Sequence, residues 1–171
     1  MAELWDIVDE RGNKTGRFHE RGVPMKPGDY HPSVIVWIVN GCGEFLITQR
    51  SPEKRAGGMW ETTAGCAVAG EDSLTAALRE VREEVGLQLD PADGVIYKEY
   101  PYPHSSGDGA SYNTVWVFRT EYEPADVVLQ PGETCGFMMA DAETVLRRMR
   151  EGTFIPYDFF SDLCETFGLR K

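Results

Sequence analysis

The sequence predicts an α/β fold, an α/β/α sandwich in which helices cover both faces of a mixed β-sheet. Two observations support this prediction. Short apolar segments of strand length surround one long helical pattern, and two further helical patterns close the chain. Because each such element has an apolar side that must be buried, the elements form layers around a shared core. We expect residues 1–171 to form a single domain, which is long enough to bury a core.

Nine segments have the residue pattern of β-strands. The first two alternate around a turn at residues 10–13 and predict an N-terminal hairpin over about residues 4–20. The third contains SVIVWIV, a run typical of a buried strand. In chain order the nine segments are Leu4–Asp9, Lys14–His19, Tyr30–Asn40, Glu44–Arg50, Met59–Ala64, Val95–Tyr100, Tyr112–Thr120, Val127–Gln130 and Cys135–Met139. Between the sixth and seventh, residues 103–111 read as an irregular exposed loop.

Three segments are predicted to be helices. The longest spans Ser73–Val85, with Asp72 or Ser73 as its N-cap and Gly86 in the position after its end, where φ is often positive. The other two, Ala142–Gly152 and Tyr157–Phe167, place a pair of C-terminal helices within about residues 142–168. Apolar residues of the long helix recur at helical spacing and form one stripe for the core. They are Leu74, Ala77, Leu78, Val81 and Val85.

Three glutamates lie beside this stripe on the long helix. Residues three and four apart are neighbours on a helix, so Glu80, Glu83 and Glu84 share one arc. Like charges one turn apart cost about 0.2–0.5 kcal/mol per pair in an isolated helix. A hard divalent cation such as Mg²⁺ removes this cost, because it binds carboxylate oxygens. The competing interpretation of REVREE is a solvated helix face, which is how most charge runs are used.

The spacing around the glutamates distinguishes these two interpretations. Nine residues fit the pattern G-x5-E-x7-R-E-U-x-E-E-x-G-U, where U is apolar. Chance would produce this match on the order of 10⁻⁷ times per chain. The nine are Gly65, Glu71, Arg79, Glu80, Val81, Glu83, Glu84, Gly86 and Leu87. The segment 65–87 resembles the Nudix box at every fixed position, which implies a Nudix-type sandwich and a metal-dependent hydrolase acting on a diphosphate.

The resemblance implies roles for several residues. Mg²⁺ or Mn²⁺ would be held by the backbone oxygen of Gly65 and by the three box glutamates, of which Glu80 is favoured as the general base. Glu133, in LQPGETCGF, lies where related proteins often carry a further carboxylate ligand, although an exposed turn glutamate is the alternative. Arg79 can reach Glu83 or fold back to Glu71. We expect its contact to hold the loop on the helix and to leave Glu80, Glu83 and Glu84 free for the metal.

Nearly the whole chain resembles the branch of Nudix proteins that includes isopentenyl-diphosphate isomerase. Arg50 and Lys54 match positions that contact the diphosphate in that branch, although both could also belong to a solvated strand end. The isomerases carry a cysteine just before the box glycine and a histidine just after it, where this chain has Ala64 and Cys66. Since alanine cannot transfer protons, the sequence predicts a hydrolase on an isomerase-like scaffold. An isomerase and a non-catalytic ligand-binding module remain the alternatives.

Other conspicuous side chains have two interpretations. Four aromatic residues could stack on a nucleobase, but aromatics at strand positions also fill cores. They are Trp60, Tyr100, Tyr102 and Tyr112. His31 matches a metal-binding histidine of the isomerases, and a structural role at a strand start is the alternative. We expect the loop Tyr102–Ser111 to take part in substrate selection.

Composition restricts the class of partner. The net charge of −11 leaves no basic excess to neutralise phosphates, so we expect no nucleic-acid polymer as partner. No apolar run approaches the roughly 20 residues that cross a bilayer, which predicts no membrane span. Four scattered cysteines without a C-x-x-C pair, and no signal peptide, point to the cytoplasm. The expected partner is therefore a small diphosphate compound. A homodimer is left open.

Overall fold

The computed structural model describes residues 2–104 and 109–169, which form nine β-strands and three α-helices. The strands are β1 Leu4–Val8, β2 Lys14–Glu20, β3 His31–Val39, β4 Phe45–Arg50, β5 Trp60–Glu61, β6 Thr63–Cys66, β7 Gly94–Pro103, β8 Ala110–Arg119 and β9 Thr134–Ala140. The helices are α1 Ser73–Val85, α2 Ala142–Arg150 and α3 Phe160–Thr166. None of these helices is long and apolar enough to cross a membrane.

The central sheet has seven strands and mixed direction. Its main path runs β5-β4-β3-β8-β7, while β6 pairs with β3 and β9 pairs with β4. Only β3 and β8 run parallel among the described strands, and Ile35 lies beside Val115 in that pairing. Strands β1 and β2 form a separate antiparallel hairpin. The predicted mixed sheet is confirmed.

Alternate residues of β3 face opposite helical layers, which makes the fold a three-layer sandwich. Val34, Val36 and Ile38 pack in a cluster with the apolar face of α1. Ile35, Trp37 and Val39 pack in a second cluster with α2 and α3. Since side chains of a strand alternate between faces, a strand that is buried on both faces has a continuous apolar sequence. Residues 34–39 form such a run. The prediction of an α/β/α arrangement is therefore confirmed.

One predicted strand is wrong. Residues 127–130 form no strand; instead Val128 N donates to Val85 O at 2.9 Å and Gln130 N donates to Glu84 O at 3.0 Å. The segment thus satisfies carbonyls at the C-terminal end of α1, which have no partner inside the helix. Val127 and Leu129 pack on the α1 cluster, so the alternating apolar pattern reflects burial without strand pairing.

The remaining differences concern element boundaries. The segment predicted as one strand at Met59–Ala64 is two short strands, β5 and β6, interrupted at Thr62, whose hydroxyl donates to Val36 O at 2.5 Å. The last helix begins at Phe160 rather than Tyr157, because residues 157–159 make a turn before it. The predicted loop at 103–111 is shortened by β7 and β8, and residues 105–108 lie outside the described part of the chain.

His31 attaches the hairpin to the central sheet. It is buried, its ring centroid lies 4.3 Å from that of Trp5 on β1, and it begins β3 as predicted. Its Nδ1 lies 3.4 Å from Pro32 O. Burial lowers the pKa of His31 to about 4, so the ring is neutral at physiological pH.

This buried histidine contributes stability that is lost in mild acid. Between pH 6.5 and 4 the unfolded chain binds a proton at this position that the folded chain does not. The contribution of His31 to the free energy of unfolding should therefore fall by up to about 1.4 kcal/mol per pH unit as the pH drops through this window. Denaturant titrations at pH 7 and pH 5 would measure the difference. It should shrink in His31→Gln and persist in His19→Gln, and an unchanged difference in His31→Gln would refute the assignment.

Candidate active site

Helix α1 presents the box glutamates from a well-defined backbone. The Asp72 side chain accepts a hydrogen bond from Thr75 N, so Asp72 is the N-cap. It is one of the two residues that the sequence predicted for this position. Gly86 ends the helix with a φ of 75°, which suits glycine because the left-handed region disfavours a Cβ. Ala77, Val81 and Val85 of the predicted apolar stripe are buried, and Leu74 and Leu78 are partly buried. Because this stripe is packed in the core, the side of α1 that carries the glutamates is directed toward a cleft.

All seven residues predicted for the site line this one cleft, which has a volume of about 500 Å³. The box helix, the loop between β4 and β5, strand β6 and the turn before β9 each contribute to it. The seven are Arg50, Lys54, Gly65, Glu80, Glu83, Glu84 and Glu133. Residues separated by more than eighty positions in the chain are therefore brought to a single cavity.

Arg79 joins the box loop to the box helix. Its Nε and Nη2 donate to the two carboxylate oxygens of Glu71 at 2.8 and 2.9 Å, and Nη2 also donates to Cys66 O at 2.9 Å. Glu71 in turn accepts from Val68 N at 3.0 Å. These contacts lower the pKa of the Glu71 carboxyl, chiefly through the hydrogen bond from Arg79. The planar guanidinium suits this role because it can serve a carboxylate and a carbonyl at once.

The expectation that Arg79 holds the loop on the helix is confirmed, but the expectation that it leaves Glu80 and Glu83 free is wrong. Its Nη1 donates to Glu80 at 2.8 Å and to Glu83 at 3.2 Å. A guanidinium has five N–H donors, so Arg79 contacts both Glu71 and Glu83, which residue spacing had suggested as alternatives. As the side chains stand, no group of three or more His, Cys, Asp or Glu residues within 2–104 and 109–169 is arranged to hold a metal ion.

The donor set nevertheless fits a hard divalent cation. Glu84 Oε2 is buried and has no hydrogen-bond partner among residues 2–104 and 109–169, which is costly for a carboxylate unless a cation or a proton compensates. Burial first, then the nearby charges of Glu61 and Glu80, raise the pKa of Glu84 to about 8. Burial also raises the pKa of Glu80, against the opposing effect of Arg79. Clustered carboxylates that are expensive to ionise alone are typical of sites completed by a cation.

Gly65 gives Glu80 the room it needs. A Cβ built on Gly65 would lie 2.1 Å from Glu80 Cδ and 2.2 Å from Glu80 Oε1. Any larger residue would therefore displace this carboxylate. The Gly65 carbonyl, predicted as a metal ligand, accepts a hydrogen bond from Ser33 Oγ at 2.9 Å, and Gly65 lies opposite Val34 in the pairing of β6 with β3.

Two cations and one carboxylate form the other side of the cleft. Arg50 Nη1 donates to Glu61 Oε2 at 2.5 Å, and its Nε donates to the carbonyl of Arg55 at 2.9 Å. Lys54 forms an ion pair with Glu133 in the turn before β9. Glu133 is thus placed in the cleft, but its carboxylate is matched to Lys54.

Sequence reasoning missed four charged residues of the site. Glu3 and Arg21 flank the N-terminal hairpin and pair with each other at 3.0 Å, while Arg55 follows Lys54 in the β4–β5 loop. Glu61 is buried and accepts a hydrogen bond from Arg50, which lines the cleft. The signal for Arg55 was its position beside Lys54. For Glu3 and Arg21 there was no such signal in the sequence, because their contribution depends on how the hairpin packs against the sheet.

The four aromatic residues considered for base stacking lie in different parts of the structure. Tyr100 and Tyr102 line a second cavity of about 500 Å³ together with Tyr157 and Phe159. Trp60 packs against the core, where the guanidinium carbon of Arg148 lies 4.8 Å from its ring centroid. Tyr112 covers Gly12 at the hairpin turn. Only two of the four aromatics therefore face a cavity of substrate size.

The isomerase positions also lie at the cleft. Ala64 and Cys66 are both partly buried there, and burial raises the pKa of the Cys66 thiol to about 11. A thiol with such a pKa stays protonated at neutral pH, and Ala64 carries no ionisable group. No disulfide links the four cysteines.

Comparison with known proteins identifies the family. The family model for the NUDIX domain matches residues 29–160. An uncharacterized Nudix hydrolase of Listeria innocua is 32% identical over 165 residues, covering 95% of this chain and 94% of the relative. An isopentenyl-diphosphate Δ-isomerase of Citrobacter koseri is 26% identical over 145 residues, covering 84% of this chain and 80% of the relative.

The fold has solved counterparts. The crystal structure of DR0079 from Deinococcus radiodurans superposes with a TM-score of 0.72 at 22% identity, covering 93% of this chain and 96% of that one. This likeness concerns the fold, whereas the family match and the Listeria relative concern the sequence. The glutamate-lined cleft, the box helix and these relatives agree: the chain belongs to the Nudix hydrolase family.

Proposed function

We propose that this protein is a divalent-cation-dependent hydrolase that cleaves the diphosphate linkage of a nucleoside diphosphate linked to another group, or of a related small diphosphate. The observation that carries the proposal is the single cleft that holds the box glutamates opposite Arg50 and Lys54. Carboxylates can hold a cation, and guanidinium and ammonium groups can hold phosphate oxygens.

The residues divide into two roles. Glu80, Glu83 and Glu84, with the Gly65 carbonyl and Glu133, would hold Mg²⁺ or Mn²⁺, which would supply neutralisation of phosphate charge and activation of water. Arg50 and Lys54 would orient the diphosphate. We propose Glu80 as the proton acceptor, the residue favoured from the sequence; its carboxylate lies in the cleft, directly beside the box residue Gly65.

Lys54 and Glu133 must exchange partners for both roles to be filled. In the structure they neutralise each other. A diphosphate would attract Lys54 and a cation would attract Glu133, so binding of substrate and cation replaces one ion pair by two. Both side chains are partly accessible, 31% for Lys54 and 39% for Glu133, and ion pairs in contact with water contribute little to stability, so the exchange costs little.

Two alternatives remain from other functional classes. The isomerase reaction needs a proton-transferring thiol, but Ala64 occupies that position and the neighbouring Cys66 stays protonated. A ligand-binding module without catalysis would have no need of all the box carboxylates, and none is missing. Both observations favour the hydrolase.

Incubation with a panel of diphosphates tests the proposal. The panel should include nucleoside triphosphates, nucleotide sugars, dinucleotide cofactors and isoprenoid diphosphates, each with Mg²⁺ and with Mn²⁺. We expect hydrolysis of at least one class, detected by phosphorus NMR, with loss of activity in EDTA and recovery when the cation is restored. Double-bond migration in isopentenyl diphosphate without phosphate release would establish the isomerase instead. Tight binding without turnover would establish the ligand-binding module.

The partner class follows from the same charges. With a net charge of −11, we propose small diphosphates rather than nucleic-acid polymers as substrates. A cytoplasmic location and a homodimer stay predictions. Selection of the substrate by residues 102–111 also stays a prediction, since residues 105–108 lie outside the described ranges.

A further inference from the structure

Glu61 is a buried charge next to the cleft. Only 7% of the residue is exposed, and it lies on β5 directly opposite Thr48 of β4. A carboxylate in such surroundings is costly unless it is paired. Its partner is Arg50 at the end of β4, whose Nη1 donates to Glu61 Oε2 at 2.5 Å. The pair is also well shielded, with 21% of the Arg50 side chain exposed.

Arg50 connects this pair to the loop that follows it. Its Nε donates to the carbonyl of Arg55 at 2.9 Å, so the side chain spans its own loop. Its backbone closes the same loop, because Arg50 N donates to Met59 O and Gly58 N donates to Arg50 O, both at 3.0 Å. Residues 51–58 are therefore held at both ends by one residue.

This loop carries cations into the cleft. Lys54 and Arg55 both line it, beside Arg50 itself. Within the loop, Lys54 N donates to Ser51 O at 3.1 Å and Gly57 N donates to Lys54 O at 2.9 Å, so its shape is set by successive turns. A shift of the Arg50 side chain would therefore change the position of all three cations relative to the box glutamates.

From this arrangement we infer that Glu61 is a positioning residue for substrate binding: it orients the Arg50 guanidinium and, through Arg50, the loop 51–58 that presents Lys54 and Arg55 to the diphosphate. The inference rests on the proposed function for the identity of the ligand. Glu61 does not itself contact the substrate. Because Nη1 and Nε are occupied by Glu61 and by Arg55 O, the remaining guanidinium N–H groups have a fixed orientation for phosphate oxygens.

A double-mutant cycle on ligand affinity tests this inference. The probe is methylenediphosphonate, a diphosphate analogue that cannot be hydrolysed, titrated in the presence of Mg²⁺ by calorimetry. Glu61→Gln preserves shape and removes the charge that orients Arg50. We expect it to weaken binding about tenfold, the effect of one charge-assisted hydrogen bond. Arg50→Ala should weaken binding by at least as much. In the Arg50→Ala background, Glu61→Gln should have no further effect, because the residue through which it acts is absent.

Two further variants separate positioning from general structural damage. Arg50→Lys keeps the charge but cannot bridge Glu61 and Arg55 O together, so it should weaken binding about as much as Glu61→Gln. Asp29→Asn breaks a comparable carboxylate–arginine pair with Arg17 on the hairpin, away from the cleft, and should leave affinity unchanged. Melting temperatures of all variants report folding independently of affinity.

The outcomes distinguish this inference from the proposed function. Affinity within about twofold of wild type in Glu61→Gln, or an equal loss in the wild-type and Arg50→Ala backgrounds, would overturn the positioning role. Failure of the wild-type protein to bind methylenediphosphonate would also overturn it. Binding that follows the expected cycle, together with no hydrolysis in the diphosphate panel, would overturn the proposed function and leave the positioning role supported.

Discussion

Glu83→Gln should reduce cation-dependent hydrolysis by at least about 10²-fold while the protein stays folded. Glu83 is the most exposed of the three box glutamates, with 47% of its side chain accessible, compared with 14% for Glu80. Arg79 donates a hydrogen bond to Glu83 at 3.2 Å, which the amide oxygen of glutamine can still accept. The substitution therefore removes a charge from the site with little change in packing.

Initial rates on the best substrate of the panel, with a melting curve for each protein, would measure the effect. Glu143→Gln is a suitable control, because Glu143 is an exposed glutamate in the first turn of α2 and outside the cleft. We expect wild-type rates from the control and melting temperatures within about 2 °C for both variants. Full activity of Glu83→Gln would show that Glu83 has no part in the chemistry.

Gly65→Ala should lower activity by about 10²-fold through displacement of a single carboxylate. The added methyl group would lie within 2.5 Å of all three carboxyl atoms of Glu80, so the carboxylate must move. The carboxylate is the far end of a flexible side chain, so it can shift at small cost to folding. A displacement of about 1 Å at a reacting group is enough for a loss of this size.

Gly136→Ala is the matched control for this variant. It is also a strand glycine, but a Cβ there would meet only Gln49 atoms at 3.5 and 3.7 Å, which is ordinary contact. Rates for both variants, and a crystal structure of Gly65→Ala, would show whether Glu80 has moved. Wild-type activity with a displaced Glu80 would remove Glu80 from the proposed chemistry and require another base.

Local patterns predicted the parts of the site that depend on local geometry. The helix α1 and the arc of glutamates follow from residue spacing, because neighbours on a helix are separated by three or four positions, and the sequence limited the N-cap to Asp72 or Ser73. The box spacing then specified Gly65 and Glu71. These features needed no knowledge of distant contacts, and they agree with the structure in boundary and in orientation.

The missed features depend on contacts between distant segments. Residues 127–130 have a strand-like alternation, but their backbone groups bond to the end of α1. Glu61 is one glutamate in a two-residue strand, and its burial is determined by pairing of β5 with β4. The hydrogen bonds from Arg79 to several acceptors likewise form only when the loop and the helix lie next to each other. Spacing along the chain carries no information on such packing.

The parallel pairing of β3 with β8 has a consequence for the order of folding. It joins Ile35 to Val115, so the most buried strand cannot complete its hydrogen bonding until the whole segment from the box to β8 has been synthesised. Closing a loop of this length is entropically costly, and such non-local pairings form slowly. A nascent chain that ends before residue 110 leaves this apolar strand without its neighbour on the ribosome, where chaperone binding would protect it from aggregation.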